Sequence, residues 1–359
     1  MILKNLHNLK KHNFIESSSI FLKINKPILL IVIFILVLIL TTSSIADNMR
    51  LLRIGTGGQT GVYYPIGKII AQGITSSNIS LEETEGNGIQ KYISVAQNSG
   101  GSIDNVKGIA AGEIEVGLVQ ADVAAWAFHA EHVFKGNDKV QGVRAIASLY
   151  PEKFQIVTRN DAKVKSVNDL RGKHISVDEI GSGTLAVMRI VLDTHGLNEK
   201  DLKPVYLKPV FTNDKIVSGE LQGFVIMAGA PMVAVSQLLG TGISLVPIAP
   251  KMASLIEAKY PYLVPGKILA NIYPGIPDTP TIQVHALMVV NKTMDEELVY
   301  KITAALWSEQ TLSKLKTEHP QGKSITPDAA LLGVSIPLHP GAKKYYQKHP
   351  KRFNASQLQ

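Results

Sequence analysis

A chain of 359 residues with no cysteine forms no disulfide, no thiolate metal site and no lipid-modified cysteine at a processing site, although it tolerates an oxidising compartment. Its formal charge of +8 is uneven, because Lys4, Lys10, Lys11, Lys23 and Lys26 fall with Glu16 in the first 46 residues, leaving +4 on the other 313. That remainder has interspersed charges and only two tryptophans in the whole chain, which excludes a nucleic-acid stripe.

Residues 28–40 are an unbroken apolar run preceded by Lys23, Lys26 and Pro27. The run fits a signal-peptide core of about 7–15 residues and is shorter than the ~20 that span a bilayer as a helix. Ser44-Ile45-Ala46 is a small-x-small pattern, so residues 1–46 are expected to be a signal peptide cleaved before Asp47. An uncleaved anchor is the alternative. The mature chain, exported and without a lipid-bearing cysteine, is expected to float free.

The mature length exceeds one hydrophobic core and implies two domains. Short β-branched runs alternate with longer amphipathic ones, the pattern of βαβ units, so the fold class is α/β with a largely parallel sheet. Strands are expected at 51–54, 116–119, 144–148, 155–158, 174–177, 205–207, 224–227, 244–248 and 282–290. Helices lie between them: Ile66, Ile69, Ile70 and Ile74 recur at helical spacing, as do Leu185, Met188 and Leu192. Pro65 and Pro231 suit first helical turns, Gly196 a left-handed C-cap, and Thr293 to Glu296 a capping box. Segments 148–157 and 264–280 look extended, are broken by Pro or Tyr and lack a helical stripe, so they read as two crossings between lobes. The expected division is 47–150 for the first part of lobe one, 151–270 for lobe two, and 271–359 for the return strand and C-terminal helices of lobe one, with Trp307 anchoring them.

Arg53-Ile54-Gly55-Thr56-Gly57-Gly58-Gln59-Thr60-Gly61-Val62-Tyr63-Tyr64-Pro65 is a strand, a glycine-rich turn and a helix start. Glycines let backbone N–H groups approach a ligand, and the helix start adds partial positive charge, so this is a seat for an anion. The spacing is neither a P-loop nor the dinucleotide fingerprint, Thr60 standing where the third glycine belongs. A turn built for packing alone is the alternative. Of Tyr63 and Tyr64, one is expected to face the cleft and the other the core. Gly181-Ser182-Gly183-Thr184 forms a second seat between a strand and a helix. A nucleophilic Ser182 is the enzyme reading, yet the elbow Gly-x-Ser-x-Gly fails at Ile180. Gln120, at a strand end, offers a ligand both donor and acceptor. Asp122 is either a ligand contact or a helix cap. Ser102 and Asn105 divide between capping and ligand binding, and Tyr273 between the cleft and hinge packing. His129 and His132 lack a third ligand, so no metal is expected.

Taken together, Ile54 to Gly58, Gly61 to Pro65, Gly101-Ser102, Asn105-Val106, Ala111-Gly112-Glu113, Val119 to Asp122, Val167 to Lys173, Gly181 to Thr184, Ala228-Gly229 with Pro231, Tyr273-Pro274-Gly275 and Val299 to Thr303 resemble the TAXI subfamily of extracytoplasmic solute receptors of tripartite ATP-independent periplasmic (TRAP) transporters. The resemblance implies the type II periplasmic-binding-protein fold, two lobes joined by two crossings. It also implies a periplasmic, non-enzymatic receptor for a small acidic metabolite such as glutamate, glutamine or 2-oxoglutarate, which it delivers to integral membrane permease subunits. The expected receptor is a monomer with no cofactor and no nucleic-acid partner. Its expected ligand-binding residues are Gly57, Gly58, Thr60, Gly61, Tyr63, Tyr64, Gln120, Asp122, Ser182, Gly183, Thr184 and Tyr273, with the ligand's carboxylates between the two glycine seats. This chain departs from the pattern at Gln222-Gly223 and Ala230 and offers no matching arginine, Arg189 lying more than a helical turn past Gly183. A receptor for an ABC importer and an esterase using Ser182 are the rival readings.

Overall fold

A computed structural model describes residues 48–82 and 89–353; the expected signal peptide lies outside them. Strand β1 (Asn48–Gly55) leads through the glycine turn into helix α1 (Tyr63–Ser76), whose buried Ile66, Ile69, Ile70 and Ile74 form one apolar stripe. Then follow β2 (Ser80–Glu82), β3 (Ile89–Gln97), α2 (Ser102–Ala111), β4 (Val116–Gln120), α3 (Ala121–His129) and β5 (Val143–Arg159). The middle of the chain contributes β6 (His174–Ser176), α4 (Gly183–Thr194), β7 (Lys203–Val205), β8 (Gly223–Ala228), β9 (Ile243–Leu245), α5 (Pro250–Lys259) and β10 (Val264–Ile268). Strand β11 (Thr279–Asn291) returns, and α6 (Glu296–Leu306), α7 (Glu309–Glu318) and α8 (Pro340–Lys348) close the chain.

The strands run in the order β2-β3-β1-β4-β11-β5-β8-β6-β7, with β10 paired to β11 and β9 to β5. In lobe one the parallel strands β3, β1 and β4 meet the antiparallel β11, and β5 lies beyond it. In lobe two the parallel strands β7, β6 and β8 meet the antiparallel β5, and β9 lies beyond it. With the short edge strand β2 set aside, each lobe orders its strands second, first, third, then one strand arriving from the other lobe, then fourth. This is the two-lobed, type II periplasmic-binding-protein arrangement that the sequence led us to expect.

The first expected crossing, 148–157, is not a connector between strands but the middle of one 17-residue strand, β5. Pro151 makes the sequence read as a break. In the sheet it sits opposite His285 where the register with β11 shifts, and such an irregularity absorbs the missing N–H. Segment 264–280 contains β10, a turn and the start of β11. Pro265 and Gly266 argue against a strand, but β10 lies off the main strand order and pairs only with β11, and an edge tolerates both residues.

Two apolar clusters cover the two faces of the sheet, one with α1, α6, α7 and α8, the other with α2, α3, α4 and α5. Trp307 is fully buried, as expected. Its Nε1 donates to the Tyr346 hydroxyl at 3.0 Å, which donates to the Ile146 carbonyl of β5 at 2.9 Å. The C-terminal helices are thereby tied to the strand that crosses between the lobes. Asp295, not Thr293, caps α6, its side chain accepting from the Leu298 amide at 2.7 Å, and Pro231 follows a cis peptide bond ahead of the next short helix. Among the described residues no helix is long and apolar enough to cross a membrane.

Trp307→Ala is expected to lower the stability by about 3–5 kcal/mol, as for large-to-small changes of buried aromatics. Tyr346→Phe is expected to cost about 1–3 kcal/mol by leaving a buried carbonyl and an indole N–H unpaired. Urea unfolding midpoints measure both.

Candidate ligand-binding cleft

In parallel α/β sheets, ligands bind outside the carboxyl ends of the strands. Here residues at or just past the carboxyl ends of β1, β4, β6, β7 and β8 line a cavity of about 70 Å³ between the lobes. From lobe one come Gly57, Gly58, Thr60, Gly61, Tyr63, Ser102 and Gln120; from lobe two come Asp178, Ser182, Gly183, Thr184 and Lys208; Glu152 stands on β5 itself. Nine of the twelve residues expected at the site thus converge on one space. The structure does not bring Tyr64, Asp122 or Tyr273 to its wall.

The lobe-one seat is made of main chain. The Gly61 amide donates to the Gly58 carbonyl at 3.0 Å, closing the turn, and among the described residues neither the Gly57 nor the Gly58 amide has a main-chain acceptor. No side chain caps α1, and its first turn holds no acid. Behind the turn, Asn105 Nδ2 clamps the Thr56 and Leu118 carbonyls at 2.7 and 2.8 Å, so Asn105 is a strut for the loop and Ser102 is the one that reaches the cavity. Ser102 Oγ accepts from the Gln120 amide at 3.1 Å and lies 3.4 Å from the Tyr63 hydroxyl.

The lobe-two seat is furnished differently. Ser182 Oγ caps α4 by accepting from the Leu185 amide at 3.1 Å, and Thr184 Oγ1 accepts from the Met227 amide at 3.1 Å. No histidine is among the residues lining the cavity, so Ser182 has a capping role and no adjacent imidazole base. Asp178 is buried at the same helix start with a left-handed φ of +68°. Burial pushes its carboxyl up to about 6 against the opposing hydrogen bonds of the Glu179 amide and the Thr184 and Ser182 hydroxyls.

Glu152 is 1% exposed and accepts from the Tyr63 hydroxyl at 2.9 Å. Burial holds its carboxyl well above the ordinary range, the Tyr63 hydrogen bond opposing and the nearby Asp122 adding to the rise. Lys208 is the only cation among the lining residues. It pairs with Glu179 at 2.8 Å and donates across the cleft to the Ser99 carbonyl at 2.9 Å. The lobes also touch where the Asp104 amide donates to the Gly181 carbonyl at 3.3 Å. A Cβ on Gly183 would stand 2.0 Å from Gln120 Oε1, so any side chain here would have to displace Gln120 of the other lobe.

Tyr273 is fully buried behind the cavity, donating to Gln155 Oε1 at 2.6 Å and accepting from the Met232 amide at 2.9 Å. It supports Met232, which does line the cleft. Tyr64 is half-buried on α1. Arg189 pairs with Glu199, half-exposed on the outside of α4. Glu152, Asp178 and Lys208 were not anticipated from the sequence. None has a distinguishing sequence signal, since Asp178 and Lys208 stand two and three residues past the ends of β6 and β7 as ordinary loop residues do. His132 lies against Trp126, ring centroids 4.6 Å apart, and among the described residues no group of three or more His, Cys, Asp or Glu side chains could hold a metal ion.

The sequence profile described as the NMT1-like family matches residues 54–349. The chain belongs to the NMT1-like family. Among solved structures, a protein of Bordetella bronchiseptica RB50 is similar to this NMT1-like chain with 15% identity, a TM-score of 0.50, and coverage of 83% of this chain and 81% of the other. The periplasmic aliphatic sulphonate binding protein SsuA of Escherichia coli gives 15% identity, a TM-score of 0.40, and coverage of 76% and 80%. The alkanesulfonate-binding protein SsuA of Xanthomonas axonopodis pv. citri bound to MOPS gives 13%, 0.41, and 87% and 95%. At these identities the Bordetella likeness speaks to the fold of the NMT1-like chain and to nothing finer.

Asp122 opens α3, is 1% exposed, and has Oδ2 without a hydrogen-bond partner. Burial raises its carboxyl from 3.8 to about 7 against the hydrogen bonds of the Val123 and Asp122 amides and the Gln120 side chain. The folded state therefore binds this proton more tightly than the unfolded chain does. Its stabilising contribution is complete below pH 3.8 and is lost as the pH rises through about 7. Asp122→Asn is expected to raise the stability at pH 8 by on the order of a few kcal/mol, with the gain vanishing toward pH 4. Urea midpoints of both proteins across that range measure it.

Proposed function

We propose that this protein is an exported, periplasmic solute-binding receptor that closes its lobes, 47–150 with 271–359 and 151–270, around a small acidic metabolite and delivers it to the permease of a TRAP transporter. The observation that carries the reading is the convergence of two glycine-rich loops from separate lobes on one small cavity. Membership of the NMT1-like family and the two-lobed fold support a binding role. The TAXI motifs favour a TRAP permease as partner, and residues 1–46 supply the export signal. Gly57, Gly58, Thr60, Gly61, Tyr63, Gln120, Ser182, Gly183 and Thr184 are the proposed contacts. Tyr273 acts one layer behind through Met232.

Closure follows from contacts made only when both lobes are engaged. A ligand shifts the hinge equilibrium by its differential affinity for the closed form, and a few kcal/mol suffice. Isothermal titration of the mature protein against a panel of small acidic metabolites tests the reading. Binding is expected, with a rise in melting temperature equivalent to ~2.7 kcal/mol at a ligand concentration of 100 Kd. Silence across the panel, or labelling of Ser182 by a fluorophosphonate, would sink it. Gly183→Val is expected to weaken binding at least roughly tenfold, about 1.4 kcal/mol, by holding Gln120 and the second lobe apart. Flanking genes for an ATPase in place of an integral membrane TRAP pair would reassign the permease.

A further inference from the structure

We propose that the ligand is a zwitterion, held with its carboxylate on the lobe-one glycine turn and a cationic nitrogen toward Asp178 and Glu152. The inference rests on the receptor reading above and replaces the symmetric picture of two seats that both receive acids.

The asymmetry lies in the two helix starts. Helix α1 arrives at the cavity with no capping side chain and no acid in its first turn, and the Gly57 and Gly58 amides have no main-chain acceptor among the described residues. A helix N-terminus with free amides favours an anion, and the anion it awaits has to come from outside. Helix α4 is already served by the chain itself. Ser182 Oγ takes the Leu185 amide, and Asp178 sits 7% exposed at the same end, accepting from the Glu179 amide at 2.8 Å. The conformation supports this placement: a left-handed φ is uncommon outside glycine, and aspartate is among the few residues enriched there. A second carboxylate brought to this end would meet Asp178 in a water-poor space, and like charges repel strongly there.

The strand between the lobes repeats the message. Glu152 lines the cavity, is almost wholly buried, and receives one hydrogen bond, from Tyr63. Among the described residues no cation is paired with it, and Lys208 is engaged by Glu179 and the Ser99 carbonyl. Both carboxyls are raised by burial, the state expected of acids whose counter-charge is missing. A ligand ammonium supplies that charge and three donors.

The test is titration of the full mature protein at one pH and salt concentration with amino acid and keto acid pairs sharing a carbon skeleton: glutamate with 2-oxoglutarate, aspartate with oxaloacetate, alanine with pyruvate. In any pair that binds, the amino acid is expected to be tighter by roughly tenfold or more, the worth of one charge-assisted hydrogen bond. A keto acid that binds as tightly as its partner, or more so, overturns this proposal and leaves the receptor reading standing. Heat from none of the six overturns the proposal together with the small-acid reading beneath it. Asp178→Asn and Glu152→Gln are each expected to narrow the preference for the amine; a preference unchanged in both overturns the assignment of these two carboxyls. The comparison of pairs in the unaltered protein holds even where a variant fails to fold.

Discussion

Strands β5 and β11 belong to both lobes, and their antiparallel pairing, Gln283 against Lys153 through Asn291 against Val143, is the constraint on which everything else in the molecule depends. Each strand finishes one lobe's sheet and begins the other's, so the lobes cannot drift apart. Strand carboxyl ends from both lobes are held around one space. The backbone bonds of the crossing are ladder bonds and not loose connector contacts, and the ladder is irregular after His285 and again between Met288 and Val289. Glu152 follows Pro151 directly, which places a buried acid on the strand that runs between the lobes.

A carboxylate this deeply buried loses several kcal/mol of hydration, while one hydrogen bond from a neutral hydroxyl returns ~1.5–3. The balance is negative unless the group takes a proton or a cation approaches it. The same reasoning distinguishes Glu152 from exposed acids such as Asp161 or Asp278, which are held below their ordinary range by Arg159 and Lys267 and lie in water, where such pairs count for little. Local charge balance, more than overall charge, therefore characterises the cleft. The chain is net basic, yet the cavity has two uncompensated acids and one cation committed elsewhere.

Across the cleft, Lys208 meets Ser99, Asp104 meets Gly181, and Gln120 lies against Gly183. These three are polar contacts or main-chain approaches. The two apolar clusters each draw residues from both lobes, and Val62, Tyr63, Ile226, Ala228 and Met232 of the first also line the cavity.

The sequence by itself determined what depends on near neighbours. The isoleucine stripe of α1, the left-handed Gly196, the glycine turn after β1 and the Ser182 seat before α4 all follow from spacing and from the conformations that glycine permits. That these strands and helices assemble into an α/β sheet was likewise readable from their alternation. Tertiary structure alone decided which turn keeps its anion site open and which fills it, because Asp178 looks from the sequence like any loop aspartate. It decided that Glu152 is dry, through a tyrosine 89 residues away, and that Lys208 bridges to a carbonyl 109 residues away. It moved Tyr273 and Asp122 behind the wall and made one strand of two. The physical reason is common to all of these. Dielectric, counter-charge and packing are properties of the space around a group, and that space is built by residues remote in the chain.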